Sequence, residues 1–451
     1  MRKIIFLIII PFLLFAQDES YKISADILNF EKNNLHFENG FYLEHSFGKI
    51  FANSARFSNL KKANRFVDFS LKNGVKLITN TNGTLISENA DFDSFSSQIR
   101  FYSKDFVTYE DKIKSRDLKI ISNEVTCLLD TKKAMKKLNI EDIYSISFLD
   151  KVTLSLDNQI NIYCQEALFE KKENESKVFL YPKDNDFCRF TYENSEIFAK
   201  KAVLDLDNLD LEFENTRGQI NNLLKNKSIS FVASRLNWHN FENSFSLSDN
   251  VKVIDPGVGE ILSNQIEILK NIDQRSIRKI ISRNNTTINF FSKNKSYLFT
   301  QGIIELDHEK KKISAFSLKN KDHYLVYVDD NVSISAKKAT LLYDENDAIK
   351  NIVLENNVRF KYKDDKNFIG YGLADKIEYL PQKTKILLSS EKNRKVLFWQ
   401  EDKSLKLSAN EIHINPKEKN DIKGLGDVRF TFNLEEQNLI HEIFSKYTNY
   451  E

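Results

Sequence analysis

The chain has 451 residues and is rich in aromatic side chains, with 35 Phe and 17 Tyr but only 12 Gly and 5 Pro. Phe and Tyr favour strands, and so few Gly and Pro residues argue against a disordered linker chain. Lys and Arg total 66 against 64 Asp and Glu, and Arg2 with Lys3 account for that excess. This balance argues against nucleic acid as a partner, because phosphate binding needs a basic excess or a clustered basic patch.

The first sixteen residues have the composition of a targeting segment. Arg2 and Lys3 form a positive start, residues 4–15 are an apolar run broken by Pro11, and Ala16 closes the run. A charged start, a short apolar run and a small closing residue are typical of a secretory signal peptide, and the run is too short to span a membrane comfortably. Residues 1–16 therefore predict a cleavable signal peptide, with a retained anchor as the alternative.

One short pattern recurs along the rest of the chain: a small residue, two residues that are usually polar, an apolar residue, any residue, and another apolar residue. Its copies begin at Ala25, Ala52, Ser87, Ser115, Cys164, Ala199, Ala233, Ser263, Ala336, Ala374 and Ala409. Most copies are about 27 to 38 residues apart, a period typical of stacked supersecondary units. Thr300 with Ile303 fits as a degenerate copy in the longer gap before Ala336.

A second signature alternates with the first. It is a turn residue followed by alternating apolar positions, as in Asn357, Val358, Phe360 and Tyr362. A second example is Asp427, Val428, Phe430 and Phe432. Alternation with period two places one set of side chains on one face of a strand, and Asn, Asp and Gly supply turns. The sequence therefore predicts an all-β chain of short antiparallel strands.

Two segments depart from the strand pattern. Residues 131–139, between the copies at Ser115 and Cys164, have helical spacing and four lysines. They predict a short surface helix or loop, with contact to phosphates or anionic lipid as the alternative. Beyond Phe432, residues Leu439, Ile440, Ile443 and Phe444 also have helical spacing. They predict a C-terminal helix that caps the open end of the sheet or docks a partner.

The three cysteines leave two interpretations open. An oxidising compartment would permit one disulfide, for which Cys164 and Cys188 are the most plausible pair. The alternative is three buried thiols, Cys127 included. Cys164 occupies the small-residue position of the repeat, which favours packing over reactivity.

No motif in the sequence points to catalysis. It contains no Gly-rich phosphate loop, no CxxC pair, no HExxH and no Gly-x-Ser-x-Gly elbow. The acids at 205–212 alternate with apolar residues and lack the spacing of a calcium loop, so outward strand faces explain them. We therefore expect a protein that is not an enzyme and has no cofactor or metal. A parallel β-helix enzyme acting on carbohydrate is the alternative, and the hairpin signals count against it.

Three segments carry a resemblance to a known family. Residues 24–30 (SADILNF), 374–379 (ADKIEY) and 422–430 (IKGLGDVRF) resemble the OstA-like family of periplasmic lipopolysaccharide-transport proteins, the LptA type. The resemblance is good over 331–433, fair over 22–110 and weak between. It implies a β-jellyroll of stacked antiparallel strands in the periplasm, with an apolar interior that sheathes lipid acyl chains. The chain is about double the length of a typical member, which predicts two jellyrolls, at 17–225 and 226–433, before a helical tail at 434–451.

The resemblance also implies a site and partners. The inward side chains that would line the lipid groove are Ile334, Leu341, Phe360, Ile377, Tyr379, Ile412, Ile414 and Phe430. The expected cargo is lipopolysaccharide or a related lipid. The expected partners are other jellyroll transport proteins joined by edge-strand pairing, with the chain peripheral to the outer membrane. A structural scaffold for outer-membrane assembly, with a packed β core, is the alternative that the same apolar residues allow.

Overall fold

The structure is a computed structural model. It describes residues 22–31, 34–45, 48–58, 68–79, 83–93, 95–113, 115–129, 143–172, 175–193, 195–222, 227–239, 243–271, 276–291, 295–319, 323–344, 346–363, 369–391, 394–400, 405–415 and 421–445. The predicted signal peptide at 1–16 and the predicted helix at 131–139 lie outside these ranges. In the part of the chain that is described, no helix is both long and apolar enough to cross a bilayer.

The described residues form 34 strands, one 3₁₀ turn and one α-helix. The first seventeen strands are β1 (Lys22–Ser24), β2 (Ile27–Glu31), β3 (Asn34–Glu38), β4 (Phe41–His45), β5 (Gly48–Ala52), β6 (Ser54–Ser58), β7 (Asp68–Thr79), β8 (Thr84–Asp93), β9 (Gln98–Ile113), β10 (Arg116–Leu129), β11 (Ile143–Leu156), β12 (Ile160–Lys172), β13 (Glu175–Tyr181), β14 (Cys188–Tyr192), β15 (Ser195–Asp205), β16 (Asp210–Asn222) and β17 (Lys227–Trp238). The other elements are β18 (Ser244–Asp255), β19 (Gly259–Lys270), β20 (Ile277–Arg283), β21 (Thr286–Phe290), β22 (Ser296–Thr300), β23 (Ile303–Asp307), β24 (Lys312–Phe316), β25 (Leu325–Val328), β26 (Val332–Ala336), β27 (Lys338–Tyr343), β28 (Ile349–Lys363), β29 (Ile369–Leu380), the 3₁₀ turn (Pro381–Lys383), β30 (Lys385–Ser389), β31 (Val396–Gln400), β32 (Leu405–Ala409), β33 (Glu411–Asn415), β34 (Asp421–Leu425) and α1 (Leu434–Ser445).

The chain divides into two compact units. The first comprises the residues up to 218 together with 237–241, and the second comprises 219–236 together with 242 onward. The predicted jellyroll boundaries, 17–225 and 226–433, stay a prediction.

Within each unit the strands stack as antiparallel rungs. A rung is either one long bent strand or two short strands joined at a corner. In the first unit β5 and β6 form one rung, and both pair with the single long strand β7. In the second unit β26 and β27 pair in the same way with β28. The prediction of an all-β fold of stacked antiparallel strands with a short C-terminal helix is confirmed.

The corners explain one of the two sequence signatures. Where β28 bends, Asn356 and Asn357 have positive φ angles of 70° and 57° and lie opposite the single residue Asp375 of β29. Two residues facing one make a β-bulge, which bends the strand. Asn tolerates positive φ better than most residues, because its short polar side chain can hydrogen-bond locally. The same two-against-one register occurs at residues 73–74, 150–151 and 249–250.

The other signature supplies the opposite side of the same corners. The first residue after each bulge is a buried valine, and it lies opposite the small residue that begins a repeat on the next rung. The pairs are Val75 with Ser87, Val152 with Cys164, Val251 with Ser263, and Val358 with Ala374. Directly opposed side chains on antiparallel strands come close together, so a small residue makes room for the valine. The two signatures are therefore the two halves of one corner.

Helix α1 is held by a capping box and by an apolar contact. The Asn433 side chain accepts a hydrogen bond from the Glu436 amide, and the Glu436 carboxylate accepts one from the Asn433 amide, both at 2.8 Å. This reciprocal pair is a strong helix start. Phe432 then packs with Leu373 and Leu397, two side chains of neighbouring strands. The helix therefore packs on side chains of the last rungs, and its predicted role as a cap for the open end of the sheet or a docking segment for a partner stays a prediction.

Candidate functional site

Seven of the eight predicted groove residues lie in one buried apolar interior. Ile334, Leu341, Phe360, Ile377, Tyr379, Ile412 and Ile414 are each exposed by 3% or less. On one side of the corner, Ile334 of β26 lies opposite Phe360 of β28. These two side chains share one face of the sheet, because directly opposed residues of antiparallel strands point to the same side.

The other five residues form two parallel rows on the far side of the corner. Leu341, Ile352, Tyr379, Ile386 and Ile414 follow one another across β27, β28, β29, β30 and β33. A second row crosses the same strands, displaced by two residues on each strand. Its members are Ala339, Leu354, Ile377, Leu388 and Ile412. The period-two pattern thus predicted residues of the buried face on β26, β27, β28, β29 and β33, whereas their role in lipid binding stays a prediction.

Phe430 is the exception. It is 72% exposed and lies beyond the last strand, because β34 ends at Leu425 and Gly426 and Asp427 both have positive φ angles. Residues 427–432, predicted as a strand, make only a single bridge, between Arg429 and Ser408. The chain then turns into α1, so no described rung follows to cover Phe430.

The interior is closely filled around Phe360. A Cβ atom added to Gly372 would lie 2.0 Å from Phe360 Cε1, so the glycine leaves the space that the ring occupies. The Phe360 ring stacks with the Phe398 ring at a centroid distance of 6.2 Å. Three neighbouring rungs therefore meet through one aromatic stack and one glycine, and the packing is that of a protein core.

A small polar group lies at one end of this interior. Asp329 accepts a hydrogen bond from the Tyr327 hydroxyl at 3.1 Å, and its other oxygen accepts from the Asn331 and Val332 amides at 2.9 Å. Burial first, and then the nearby Asp329 carboxylate, raise the pKa of Tyr327 and of Tyr379. The hydroxyls therefore stay neutral at physiological pH.

The first described rung presents the opposite situation. Leu28 and Phe30 of β2 lie opposite the buried Phe37 and Leu35, so they point to the core face of the sheet. They are nevertheless 42% and 66% exposed. Among the described strands, β2 pairs only with β3. No described strand thus covers the apolar face of this unit at β2, and one backbone edge of β2 has no partner among the described strands.

Sequence reasoning missed this uncovered rung. The alternation in ILNFE predicts a strand and its apolar face but carries no sign of whether another rung covers that face. Whether another rung covers the apolar face of a strand depends on contacts between segments that are distant in sequence. The alternation in the sequence therefore gives no signal that could have identified the uncovered rung.

The described residues contain no group of three His, Cys, Asp or Glu side chains arranged to hold a metal ion. On β28, charged side chains lie on the outer face beside the buried residues 358, 360 and 362. Arg359, next to the inward Phe360, lies over the Tyr324 ring at 4.3 Å and donates a hydrogen bond of 2.8 Å to its hydroxyl. Inward apolar and outward charged residues therefore alternate along β28 from Val358 to Lys363.

No protein-family model and no curated protein sequence matches the chain. Among solved structures the chain is similar to LptH from Pseudomonas aeruginosa, described as the LptA-homologous periplasmic component of the conserved lipopolysaccharide transport device. The identity is 9%, the match covers 31% of this chain and 94% of that chain, and the TM-score is 0.25. Likeness at this level carries no argument about function.

Proposed function

We propose that this chain is a periplasmic lipid-binding protein that sheathes the acyl chains of lipopolysaccharide, or of a related lipid, on its way to the outer membrane. The observation that carries the proposal is the apolar core face left uncovered at β2, where Leu28 and Phe30 are exposed. Exposed apolar side chains grouped on a core-facing position mark interaction sites more often than scattered surface residues do. The resemblance of residues 24–30, which include this rung, to the OstA-like family supports the choice of lipid and compartment.

Apolar burial supplies enough free energy for such binding. Each acyl methylene removed from water contributes about 0.8 kcal/mol, so a twelve-carbon chain contributes on the order of 10 kcal/mol before ordering costs. Because the interior around Phe360 is filled, an acyl chain would engage the uncovered first rung before it displaced any core contact. We propose that the cargo, after contact with β2, binds at the predicted groove residues of the second unit, which include the exposed Phe430.

The free edge of β2 suggests how a partner would join. An exposed strand edge offers unpaired backbone N–H and C=O groups that another strand can pair with. A second jellyroll protein adding a strand here would cover Leu28 and Phe30 and continue the apolar face. We therefore propose edge-strand pairing with other jellyroll transport proteins, at the periplasmic side of the outer membrane.

One observation favours a second candidate function. Seven of the eight predicted groove residues are exposed by 3% or less, and Phe360 occupies the space above Gly372. A core packed in this way needs no ligand to be stable. The second candidate is therefore a structural scaffold for outer-membrane assembly, whose apolar residues serve only to hold the rungs together.

Photocrosslinking in cells separates the two functions. A photoreactive residue would replace Phe30, with Ile27 as the matched control, because Ile27 is 41% exposed on the same strand but points to the opposite face. A second pair would be Phe360 and the exposed Lys361. We expect lipopolysaccharide adducts from Phe30 and Phe360 and none from Ile27 or Lys361. Folded variants that give no lipid adduct from either Phe30 or Phe360 would establish the scaffold instead.

A further inference from the structure

We propose that Cys164 and Cys188 form an intramolecular disulfide that joins two neighbouring rungs of the first unit. Strands β12 and β14 are antiparallel, and their last printed pair is Tyr163 with Arg189. One further step along that register places Cys164 directly opposite Cys188. The two side chains are also close enough for Cys188 to influence the Cys164 thiol. Opposed residues of an antiparallel pair have the Cα separation that a disulfide spans.

The pair lies at a corner of the stack. Cys164 occupies the small-residue position opposite Val152, and Cys188 lies opposite Ala199, which also begins a repeat copy. Cys164, Cys188 and Ala199 thus form one row of small side chains across three rungs, beside Val152. Alanine and serine fill equivalent positions elsewhere in the chain, so packing alone does not require sulfur here.

A covalent link at this corner has a structural use. Between β13 and β14 the chain leaves the sheet over residues 182–187, whereas most other rungs turn their corner within a residue or two. β13 pairs with one half of β12 and β14 with the other half. A bond from Cys188 to Cys164 would fix β14 against β12 after this excursion.

The third cysteine is placed elsewhere. Cys127 is buried in β10, where it lies opposite Ile99 of β9 and Ile146 of β11. No cysteine faces it across either strand pair. The register therefore selects one of the three possible disulfides and leaves Cys127 as a free thiol.

The folded protein protects the pair from exchange. Cys188 is fully buried, and contact with Cys188 together with burial raises the pKa of the Cys164 thiol. Because the thiolate is the reactive form, oxidation takes place while the chain folds. One cysteine thiolate attacks an external disulfide and releases one thiol, and the second cysteine then attacks the mixed disulfide and releases the other thiol. Two protons and two electrons leave the cysteines, and the external disulfide is reduced to two thiols.

In the cell this reaction rests on the proposed periplasmic location, which supplies a protein or small-molecule disulfide as oxidant. The test therefore uses the purified full chain, unfolded and reduced, then refolded in a mixture of oxidised and reduced glutathione. Free thiols are alkylated after denaturation, and the protein is digested without reductant for mass spectrometry. The experiment requires neither a lipid nor the periplasm. A negative result would therefore overturn the disulfide without bearing on the proposed function.

We expect one alkylated cysteine, Cys127, and one cross-linked peptide pair containing Cys164 and Cys188. Cys127→Ala should leave the cross-link intact. Three alkylated cysteines, or a cross-link that includes Cys127, would overturn the proposal.

A stability measurement gives a second readout. Reductant should lower the thermal midpoint of the refolded protein by several degrees, because an unfolded chain without the link gains conformational entropy. The matched control is the double variant Cys164→Ala and Cys188→Ala, since alanine occurs at equivalent corners. Reductant should not move its midpoint. A midpoint of the unsubstituted protein that reductant leaves unchanged would also overturn the proposal.

Discussion

At the scale of single residues, the contact between Gly372 and Phe360 gives the sharpest prediction. A Cβ atom at position 372 would lie 2.0 Å from Cε1 and 2.6 Å from Cδ1 of the Phe360 ring. Gly372→Ala should therefore lower the free energy of unfolding by about 1–3 kcal/mol, as overpacking of a filled core does. Urea unfolding followed by circular dichroism measures the difference.

The double variant with Phe360→Leu is the control. Leucine is smaller than the ring, so part of the loss caused by Gly372→Ala should disappear when both changes are present. A double-mutant cycle should show coupling of about 0.5 kcal/mol or more, as residues in contact do. Additive effects would mean that the ring does not occupy the space above Gly372.

Tyr343 offers a prediction of the opposite sign. Its hydroxyl is buried and has no hydrogen-bond partner among the described residues. Burial of an unpaired hydroxyl is unfavourable, so Tyr343→Phe should raise the free energy of unfolding by about 1 kcal/mol. The control is Tyr327→Phe, which should destabilise because the Tyr327 hydroxyl donates to Asp329. A destabilised Tyr343→Phe protein would contradict the prediction.

Buried tyrosines also set the response to alkaline pH. Burial is the largest cause that raises the pKa of Tyr109, Tyr327, Tyr343 and Tyr379 above the ordinary value of 10.0. A raised folded-state pKa means that the folded protein holds these protons more tightly than the unfolded chain does. Their contribution to stability is therefore fully present below pH 10 and is lost as pH rises above it.

Urea unfolding on both sides of pH 10 measures this loss, and an ultraviolet titration reports tyrosinate formation. We expect part of the tyrosine signal to appear only together with unfolding. Complete titration of all 17 tyrosines near their ordinary pKa, in a protein that stays folded, would show that the four hydroxyls are not buried.

At the scale of elements, helix α1 depends on one carboxylate. Glu436 accepts hydrogen bonds from the Asn433 amide and from Ser408 Oγ, and it forms a 2.7 Å ion pair with Arg429. Its side chain is only 12% exposed. Glu436→Ala should therefore lower the free energy of unfolding by about 1–3 kcal/mol, because it removes a capping box and leaves a charged partner behind.

Glu435→Ala is the matched control for that change. Glu435 is also in the first turn of α1 but is exposed, so its loss removes only a helix-dipole interaction of about 0.3–1 kcal/mol. Hydrogen exchange of the α1 amides would show whether the helix itself loosens. Equal effects from the two substitutions would contradict the role given to Glu436.

At this scale, local patterns could be predicted from the sequence, whereas contacts between strands could not. The repeat beginning at Ala374 and the signature beginning at Asn357 were each visible, because turn chemistry and period-two alternation are local. Their pairing across one corner, Val358 opposite Ala374, was not predicted, because register depends on contact between two strands. Likewise the helical spacing of Ile440 and Ile443 predicted α1, whereas its packing on Leu373 and Leu397 depends on side chains of two other strands.

At the scale of the whole molecule, the sequence pattern likewise predicts which side chains belong to the apolar face but not which of them are buried. Alternation correctly selected the inward face from Ile334 to Ile414, because each of those rungs is covered on both sides. It failed at Phe430, where β34 ends and no described rung follows. A pattern with period two specifies a face, but burial needs a neighbouring rung, and only the fold supplies it.

The uncovered first rung yields the prediction that tests the molecule as a carrier. Phe30→Glu should weaken binding of purified lipopolysaccharide to the full chain at least about tenfold, since a lost aromatic contact is worth about 1.5–3 kcal/mol. Ile27→Glu should bind normally, because Ile27 lies on the same strand and the same free edge but points to the opposite face. Co-sedimentation measures binding, and urea midpoints should match in all three proteins because both side chains are exposed. Equal loss in the two variants would assign binding to the strand edge, and no loss in either would exclude the core face of β2 as the point where lipid enters.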